Sequence, residues 1–356
     1  MMVRQEHRIQ LLDCTLRDGG LGLEDSRNYC THYHSFSKGQ RVLIAEELTK
    51  SNVDLIELGS IEISKEDKTR FAIYQNIEDI SKQIPQGASC KKYAALFRGP
   101  DTPVRAIPEW NRSLCKKIRV IIRYSELQKS IDFCSSLAMK GFDTIIQPMV
   151  TLRYSAEELD YMIKKANEMK AYALYFVDSY GYMTYDDVDR LFKLYDSKLN
   201  SNIRIGFHAH NNMDMAFANV NHFIELSRKT DRKIIIDSTC FGIGQGAGNL
   251  QTEHIIPYLN AKYKKPKYNY NNILDTCEII DTFKKDDPWG YSICRLLPAL
   301  YKTAYKYGVN MRLKYNIKYS IINLILKTMP DSLRHRYTPD NLSFLLDKAK
   351  AKGILK

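Results

Sequence analysis

At 356 residues, the chain is long enough to bury a large core in one α/β domain with an appendage. Its 44% hydrophobic and 26% charged residues are typical of a globular protein, and no uncharged run nears the roughly 18 residues of a membrane span. The net charge of +12 is spread along the chain, so we expect neither a nucleic-acid partner nor membrane binding. The opening MMVRQEHRIQ lacks the apolar run of a secretory signal, which predicts a cytoplasmic protein.

Eight β-rich runs follow one another along the chain, and segments with helical periodicity separate them. The runs are residues 9–16, 53–60, 92–98, 117–123, 142–150, 171–179, 203–210 and 233–241. Strands that are apolar throughout and alternate with helices indicate a parallel sheet that is buried on both faces. Eight such units in about 260 residues fit the α/β fold of a (β/α)8 TIM barrel better than an open doubly wound sheet.

The helical segments and the end of the chain complete this division. Three capping-box patterns predict helix starts, namely Ser125 with Gln128, Ser155 with Glu158, and Thr184 with Asp187. After residue 262 the pattern changes, because residues 264–272 read as a linker and the rest has helical periodicity without a further strand. We therefore predict a TIM-barrel catalytic domain over residues 1–262 and a helical C-terminal region over residues 263–356.

Two histidines stand one residue apart where the seventh run ends. Side chains i and i+2 of a strand point to the same face, so His208 and His210 are expected to project together. The active site of a TIM barrel lies at the carboxyl ends of its strands, where Asp18, after the first run, would join them. One oxygen and two nitrogen ligands with vacant positions suit a catalytic divalent cation such as Mn²⁺, Mg²⁺, Co²⁺ or Zn²⁺. A structural zinc site would normally close with four ligands and favour cysteine.

Arg17 and Asp18 are neighbours, and strict strand alternation would send them to opposite faces. We expect Gly19 and Gly20 to release the backbone from extended geometry, so that a loop replaces the strand and both side chains reach the site. An alternative stays open, in which the two histidines are polar residues of the barrel rim and bind no metal.

The segment GIGQGAGN (242–249) follows the eighth run and formally matches a dinucleotide-binding fingerprint. That fingerprint belongs to the first strand of a nucleotide-binding fold, whereas this segment follows the last strand. We interpret it as a tight turn across the barrel mouth with amides for an anion or carboxylate, and with Asn249 adding a side-chain oxygen to the metal. Alternatively, the glycines serve only the turn. The expected substrate-binding residues lie in this turn and at the ends of the fifth and sixth runs: Gly244, Gly246, Gln147 and Ser179.

Four motifs together resemble the DRE-TIM metallolyases, the superfamily similar to hydroxymethylglutaryl-CoA (HMG-CoA) lyase. They are DCTLRDGG (13–20), VDSYG (177–181), GFHAHNN (206–212) and GIGQGAGN (242–249), and the resemblance covers residues 8–262. The superfamily includes 4-hydroxy-2-oxovalerate aldolase, HMG-CoA lyase, and the isopropylmalate and homocitrate synthases. The GQGAGN form, without the cysteine-containing glycine loop of the lyase, is more similar to the aldolase and its aldolase-like relatives.

The resemblance implies a class II, metal-dependent aldolase, a carbon–carbon lyase that cleaves or forms a bond at a 2-oxo acid through a pyruvate enolate. By position it implies Asp18, His208 and His210 as ligands of a divalent metal ion, Mn²⁺ before Mg²⁺, Co²⁺ or Zn²⁺, with Asn249 as a further contact. Arg17 would stabilise the enolate oxygen. Small 2-oxo acids and aldehydes are the implied substrates, and an aldehyde dehydrogenase or a second copy of the chain is the implied partner.

The chain departs from the aldolases at the general base. The aldolases place a histidine three residues after the metal-binding aspartate, where this chain has Leu21. We hypothesise that His34 or His32, in the longer loop that follows, replaces this base. Tyr291 resembles the C-terminal catalytic tyrosine of the aldolases and joins Arg17 in the expected catalytic set.

Two other functions stay open. A Claisen-type acyltransferase, similar to the isopropylmalate and homocitrate synthases, would join acetyl-CoA to a 2-oxo acid and release free CoA. A barrel that binds a metal ion or an anion without catalysis would belong to another class of protein, and Leu21 in place of the base favours it.

Overall fold

The computed structural model describes residues 8–30, 32–263, 265–285 and 288–355. The prediction that the chain lacks a secretory signal rests largely on residues 1–7, which lie outside the described residues. Within these ranges one sheet contains nine strands. They are β1 (Ile9–Asp13), β2 (Leu55–Ile61), β3 (Ile73–Tyr74), β4 (Tyr93–Phe97), β5 (Lys117–Ile122), β6 (Asp143–Pro148), β7 (Ala173–Asp178), β8 (Arg204–Ala209) and β9 (Ile234–Ser238).

All the strands except β3 form a closed parallel barrel in chain order. Strand β1 closes the barrel, because it pairs with β9 along its length and with β2 through Leu12 opposite Leu55. The two-residue strand β3, which the sequence did not predict, extends the sheet beside β2. The strands are rich in isoleucine, leucine and valine and are buried on both faces, as a parallel barrel requires. The predicted TIM barrel is therefore confirmed, and each of the eight predicted runs overlaps one barrel strand, although β2 extends one residue beyond its run, to Ile61.

Helices alternate with the barrel strands and then continue without strands towards the C-terminus. They are α1 (Thr15–Ser26), α2 (Lys38–Lys50), α3 (Ile77–Ser81), α4 (Leu127–Met139), α5 (Ala156–Glu168), α6 (Tyr185–Lys198), α7 (Ala216–Arg228), α8 (Thr252–Asn260), α9 (Tyr270–Asp281), α10 (Ile293–Leu300), α11 (Lys306–Val309), α12 (Tyr319–Lys327), α13 (Asp331–Arg334) and α14 (Pro339–Ala351). None of these helices is long and apolar enough to cross a membrane.

Two of the three predicted capping boxes are present. Helix α5 begins at the box of Ser155 and α6 at the box of Thr184, where each side chain accepts a hydrogen bond from the backbone three residues on. The box predicted at Ser125 is wrong, because residues 124–126 form a 3₁₀ turn and α4 begins without a side-chain cap.

The helical C-terminal region has a core of its own, although α9 packs with the barrel. The buried Ile273 and Ile280 of α9 belong to the hydrophobic core of the barrel. A second core forms from apolar side chains between residues 304 and 349. The division of the chain at residue 262 stays a prediction.

The C-terminal region also lies against loops at the carboxyl end of the barrel. Arg153, after β6, donates a hydrogen bond of 2.9 Å to the carbonyl of Lys302. Tyr180, after β7, donates one of 2.8 Å to the carbonyl of His335. The C-terminal region therefore lies beside the carboxyl end of the barrel, where the predicted site residues are located.

Candidate metal centre

The segment that carries Arg17 and Asp18 is a helix rather than the end of a strand. Strand β1 stops at Asp13, whose carboxylate accepts a hydrogen bond of 2.9 Å from the amide of Thr15. Helix α1 begins there, and the amide of Asp18 donates to the carbonyl of Cys14 at 2.8 Å. The prediction of a longer strand followed by a loop is therefore wrong. Consecutive helical residues point only about 100° apart, so both side chains reach the barrel mouth.

Glycines allow α1 to lie against its neighbours. A Cβ atom on Gly20 would lie 1.9 Å from the carbonyl oxygen of Phe71, and one on Gly22 would lie 2.4 Å from that of Gly244. A glycine inside a helix costs about 1 kcal/mol relative to alanine, so these close contacts, and not helix propensity, account for the glycines. The approach of α1 to Gly244 brings Asp18 to the glycine turn.

His208 and His210 converge on Asp18. The Nε2 atom of His208 lies 3.9 Å from Oδ2 of Asp18, and the Nε2 atom of His210 lies 3.7 Å from the same oxygen. All three side chains are buried. Ligand atoms at about 2.0–2.2 Å from a metal ion can stand up to about 4 Å apart, so these separations fit one bound cation.

Each histidine is oriented through its other ring nitrogen. The Nδ1 atom of His208 lies 2.8 Å from Oδ2 of Asp237, and the Nδ1 atom of His210 lies 3.0 Å from the carbonyl oxygen of Asp178. Because carbonyl and carboxylate oxygens accept hydrogen bonds, these contacts place the ring proton on Nδ1 and the lone pair on Nε2, towards Asp18. An outer acceptor fixes metal-binding histidines in the same way.

The charge states of the three side chains also suit a cation. Burial and the neighbouring His210 lower the pKa of His208 well below its usual value, and burial lowers the pKa of His210, so both rings are neutral near pH 7. Burial acts to raise the pKa of Asp18, but Arg17, the two histidines and the amide of Asn249 together lower it to about 2. One carboxylate and two neutral imidazoles are ligands that divalent first-row metals accept.

Asn249 contacts the same cluster through its side-chain amide. It forms an isolated antiparallel bridge with His210, and its Nδ2 atom donates to Oδ2 of Asp18 at 2.5 Å and to the carbonyl of Ile243 at 3.1 Å. Its Oδ1 atom is buried and has no hydrogen-bond partner among the described residues. A buried amide oxygen without a partner is costly unless it binds something, and a metal ion or a metal-bound water would satisfy it.

The glycine turn over residues 242–249 is shaped by close packing around these ligands. A Cβ atom on Gly244 would lie 2.2 Å from Nδ2 of Asn249 and 2.8 Å from Oδ2 of Asp18, so a larger residue there would displace the site. The amides of Ala247, Gly248 and Asn249 already donate to other protein atoms. These three amides are therefore not free for an anion, which corrects the prediction in part. Substrate contacts from Gly244 and Gly246 (φ +65°) stay predictions.

Arg17 donates hydrogen bonds to two carboxylates, and one of its nitrogen atoms has no partner among the described residues. Its Nε atom donates to Oε2 of Glu57 at 2.7 Å, and its Nη1 atom donates to Oδ1 of Asp18 at 2.5 Å. The Nη2 atom is buried and has no hydrogen-bond partner among the described residues. The guanidinium is thus held by two carboxylates, while one donor remains available beside the candidate metal ligands.

The two other expected substrate contacts lie at strand ends. Gln147 is buried near the end of β6, and its Oε1 atom has no hydrogen-bond partner among the described residues. Ser179, after β7, accepts a hydrogen bond of 2.8 Å from the amide of Val150, which has a left-handed φ of +55°. The hydroxyl of Ser179 therefore stabilises a strained turn, and substrate binding by either residue stays a prediction.

The candidates for the base lie in loops. His32 is exposed, and the His34 ring lies 6.0 Å from that of Phe283, with a buried Nε2 atom that has no partner among the described residues. Tyr291 is 52% exposed. In the described part of the chain, no hydrogen bond, ion pair or ring contact joins any of them to Asp18 or to the two histidines. Their catalytic roles stay predictions.

The sequence reasoning missed three residues beneath the ligands: Arg119, Tyr175 and Asp237. Arg119 interrupts the apolar run of β5, and Asp237 interrupts that of β9. A charged residue inside a strand that is buried on both faces must find a partner within the barrel. A single charge in an apolar run is the signal that would have found Arg119 and Asp237, whereas Tyr175 in the apolar run of β7 gives no such signal.

The match to known proteins agrees with this geometry. A model of the HMGL-like family matches residues 8–280. The chain belongs to the HMGL-like family. The resemblance that the four motifs predicted is thereby confirmed, since the matched range contains all of them.

Two relatives of this HMGL-like protein carry the same name. The 4-hydroxy-2-oxovalerate aldolase of Pseudoalteromonas translucida is 28% identical over 287 residues, which cover 79% of this chain and 78% of the relative. The enzyme of the same name from Pseudomonas putida is 28% identical over 283 residues, which cover 78% and 77%.

Solved structures share the fold. The carboxyl transferase domain of Rhizobium etli pyruvate carboxylase, solved with pyruvate and biocytin, matches with a TM-score of 0.66 and 14% identity, over 98% of this chain and 61% of that chain. HMG-CoA lyase from Pseudomonas aeruginosa matches with a TM-score of 0.58 and 16% identity, over 78% and 93%. The first match extends the shared fold through the C-terminal region of the HMGL-like protein.

Proposed function

We propose that this HMGL-like protein is a divalent-metal-dependent aldolase, which cleaves 4-hydroxy-2-oxo acids to pyruvate and an aldehyde or forms them from these products. The observation that carries the proposal is the meeting of Asp18, His208 and His210, whose ligand atoms lie within 4.8 Å of one another, beside the spare donor of Arg17. The aldolase name that both of these relatives carry supports the same reaction.

Four side chains would hold the cation. They are Asp18 through Oδ2, His208 and His210 through Nε2, and Asn249 through Oδ1, directly or through a water. Mixed oxygen and nitrogen donors suit Mn²⁺, ahead of Mg²⁺, Co²⁺ and Zn²⁺. When bound, such an ion acts as a Lewis acid towards the carboxylate and keto oxygens of a 2-oxo acid.

Arg17 would stabilise the charge that develops when the carbon–carbon bond breaks. Cleavage leaves negative charge on the keto oxygen of the pyruvate part, which becomes an enolate. Glu57 and Asp18 already fix the guanidinium, so its Nη2 donor needs no reorganisation as the charge forms. Loss of one donor of this kind typically lowers kcat by about 10²- to 10³-fold.

A base must take the proton from the 4-hydroxyl group of the substrate as the C3–C4 bond breaks, and a proton must then return to C3 of the enolate to complete pyruvate. His34 fits this role better than His32, because its Nε2 atom is buried without a partner among the described residues while His32 is exposed. Tyr291, half exposed, is the second member of the proposed proton-transfer set. Gln147 and Ser179 would contact the substrate with Gly244 and Gly246.

Pyruvate release is the test of this proposal. The full chain is stripped of metal by chelation, reloaded with Mn²⁺, and offered 4-hydroxy-2-oxo acids of increasing chain length. We expect release only after reloading. Free CoA from acetyl-CoA and a 2-oxo acid is measured in parallel, because it would identify the acyltransferase instead. A reloaded chain that releases pyruvate from no member of the series contradicts the proposal.

The proposed reaction also leads to proposals for the substrates, the cellular compartment and the partner. The substrates would be a small 2-oxo acid and an aldehyde, and the reaction would take place in the cytoplasm. An aldehyde dehydrogenase that receives the aldehyde, or a second copy of the chain, is the proposed macromolecular partner. The molar mass in solution, measured for the purified protein alone and in a mixture with such a dehydrogenase, tests for either partner.

A further inference from the structure

A charged network fills the inside of the barrel beneath the candidate metal centre. Arg119, on β5, donates from Nη1 to Oε2 of Glu57 on β2 at 2.9 Å and from Nη2 to Oδ2 of Asp237 on β9 at 2.5 Å. The side chains of Arg119 and Glu57 are 0% exposed, and that of Asp237 is 1% exposed. Arg119 therefore reaches neither solvent nor substrate, and joins strands on opposite sides of the barrel.

Each of these carboxylate oxygens is shared with a residue of the site. Oε2 of Glu57 also accepts from Nε of Arg17 at 2.7 Å, and Oδ2 of Asp237 also lies 2.8 Å from Nδ1 of His208. One guanidinium thus connects the side chain that faces the substrate with a ring that faces the metal. The order of the connection is Arg17, Glu57, Arg119, Asp237 and His208.

Tyr175 supports the same network from β7. Its hydroxyl donates to Oδ1 of Asp237 at 2.9 Å, and the guanidinium of Arg119 lies 4.7 Å from the centre of its ring. The ring fits because residue 206 is glycine, since a Cβ atom on Gly206 would lie 2.1 Å from it. The glycine of the motif GFHAHNN therefore makes room for a tyrosine that contacts the partner of His208.

Stability alone is a weak reason for such a network. The desolvation of a buried ion pair offsets most of its attraction, and apolar side chains of similar volume are often as stable or more so. Lysine would not replace Arg119 either, because a single ammonium lacks the planar fork that holds two carboxylates at once. The network instead contacts both Arg17, through Glu57, and His208, through Asp237.

We propose that Arg119, supported by Tyr175, is a positioning residue that sets the orientation of Arg17 and His208 together. This inference rests on the proposed function only in what the two oriented side chains do. Outer partners of metal-binding histidines typically change metal affinity by about 10- to 100-fold. Loss of the network is therefore expected to weaken metal binding and to lower kcat, because Arg17 loses the position that stabilises the enolate.

Two variants test the proposal, each with a matched control. Arg119→Lys keeps the charge but not the fork, and its control is Arg232→Lys, a buried arginine whose Nε atom donates to Asp196 at 2.7 Å away from the site. Tyr175→Phe removes only the hydroxyl, and its control is Tyr268→Phe, a buried tyrosine that donates to Asp54 at 2.7 Å. Circular dichroism will report whether Arg119→Lys folds. If it does not fold, Tyr175→Phe alone tests the proposal.

The dissociation constant for Mn²⁺ alone and the kcat and KM for pyruvate release are the measurements. We expect Arg119→Lys to weaken Mn²⁺ binding by about 10- to 100-fold, Tyr175→Phe to weaken it less, and both to lower kcat more than they raise KM. The control variants should match the wild type. Folded site variants that bind Mn²⁺ as tightly as their controls overturn the inference.

The failure of the two proposals can be told apart. A wild-type chain that binds Mn²⁺ but releases no pyruvate overturns the proposed function, and the affinities still decide the role of Arg119. A wild-type chain that binds no Mn²⁺ overturns both. Release of pyruvate with equal affinities and equal kcat in site and control variants overturns only the inference.

Discussion

The metal-binding half of the proposed site and its proton-transfer half are built from different kinds of structure. Asp18, His208 and His210 come from the first turn of α1 and from the end of β8, and they are buried against one another. His32 and Tyr291 lie between regular elements and are exposed. Helix α1 fixes Asp18, and β8 with its bridge to Asn249 fixes the two histidines, whereas the second group depends on loop conformation.

This difference indicates which part of the chemistry the barrel determines. The proposed ligands for the cation and the proposed donor for the enolate are held by strands, by helix α1 and by a buried network. The proposed base residues His32, His34 and Tyr291 lie in loops, and Leu21 stands where the aldolases are expected to place a histidine. Variants in the two halves should therefore fail in different ways.

The largest effect is expected from loss of a metal ligand. His210→Ala should weaken Mn²⁺ binding by more than about 100-fold, which exceeds the effect of outer partners, and abolish pyruvate release. His222→Ala is the control, because this histidine pairs with Asp189 at 2.6 Å outside the barrel mouth. Calorimetric titration with Mn²⁺ measures the effect. Equal Mn²⁺ affinity of the two variants would show that His210 does not bind the metal ion.

Loss of the base should separate the two halves. His34→Ala is expected to lower kcat by about 10²- to 10⁴-fold, the usual contribution of general base catalysis, while Mn²⁺ binding stays unchanged. His32→Ala in the same loop is the comparison. Steady-state kinetics and Mn²⁺ titration on both variants measure the split. Full turnover by both variants would remove this loop from the mechanism and leave Tyr291 as the candidate.

A smaller effect is expected from the outer partner of His208. In Asp237→Asn the new amide can donate to Nδ1, which moves the ring proton to Nε2 and blocks the lone pair that faces the metal. Mn²⁺ binding should weaken by about 10- to 100-fold, and nitrogen-15 NMR of the histidine rings should report the tautomer. Asp196→Asn, beside Arg232, provides a control. An unchanged tautomer with unchanged affinity would mean that the barrel interior does not orient the ring.

The smallest effect is expected from filling the space that Gly206 leaves for the ring of Tyr175. Gly206→Ala forces a Cβ atom against that ring, and the strain should destabilise the fold by about 1–3 kcal/mol and weaken Mn²⁺ binding slightly. Gly39→Ala, where an added Cβ meets no heavy atom within 4 Å, should be neutral or stabilising. Chemical unfolding measures both. Equal stability of the two variants would contradict the packing described for β8.

The barrel was predictable because eight parallel strands that are buried on both faces read as eight apolar runs. His208 and His210 were predictable because the period of two in a strand places them on one face. Helix α1 was not, since Gly19, Gly20 and Gly22 are poor helix formers, and only contacts with distant residues such as Phe71 show why glycine is needed.

The interior network was hidden for a similar reason. Arg119 lies 62 residues from Glu57 and 118 residues from Asp237 along the chain, so no local pattern joins them. The base could not be read either, because its position depends on loop conformation, for which strand and helix periods give no rule.

Crystals grown with Mn²⁺ test the central claim most directly, through the anomalous difference map. The account predicts one strong peak within about 2.3 Å of Oδ2 of Asp18 and of the Nε2 atoms of His208 and His210. A map that is flat at this position, with Mn²⁺ bound elsewhere or nowhere, would contradict the account.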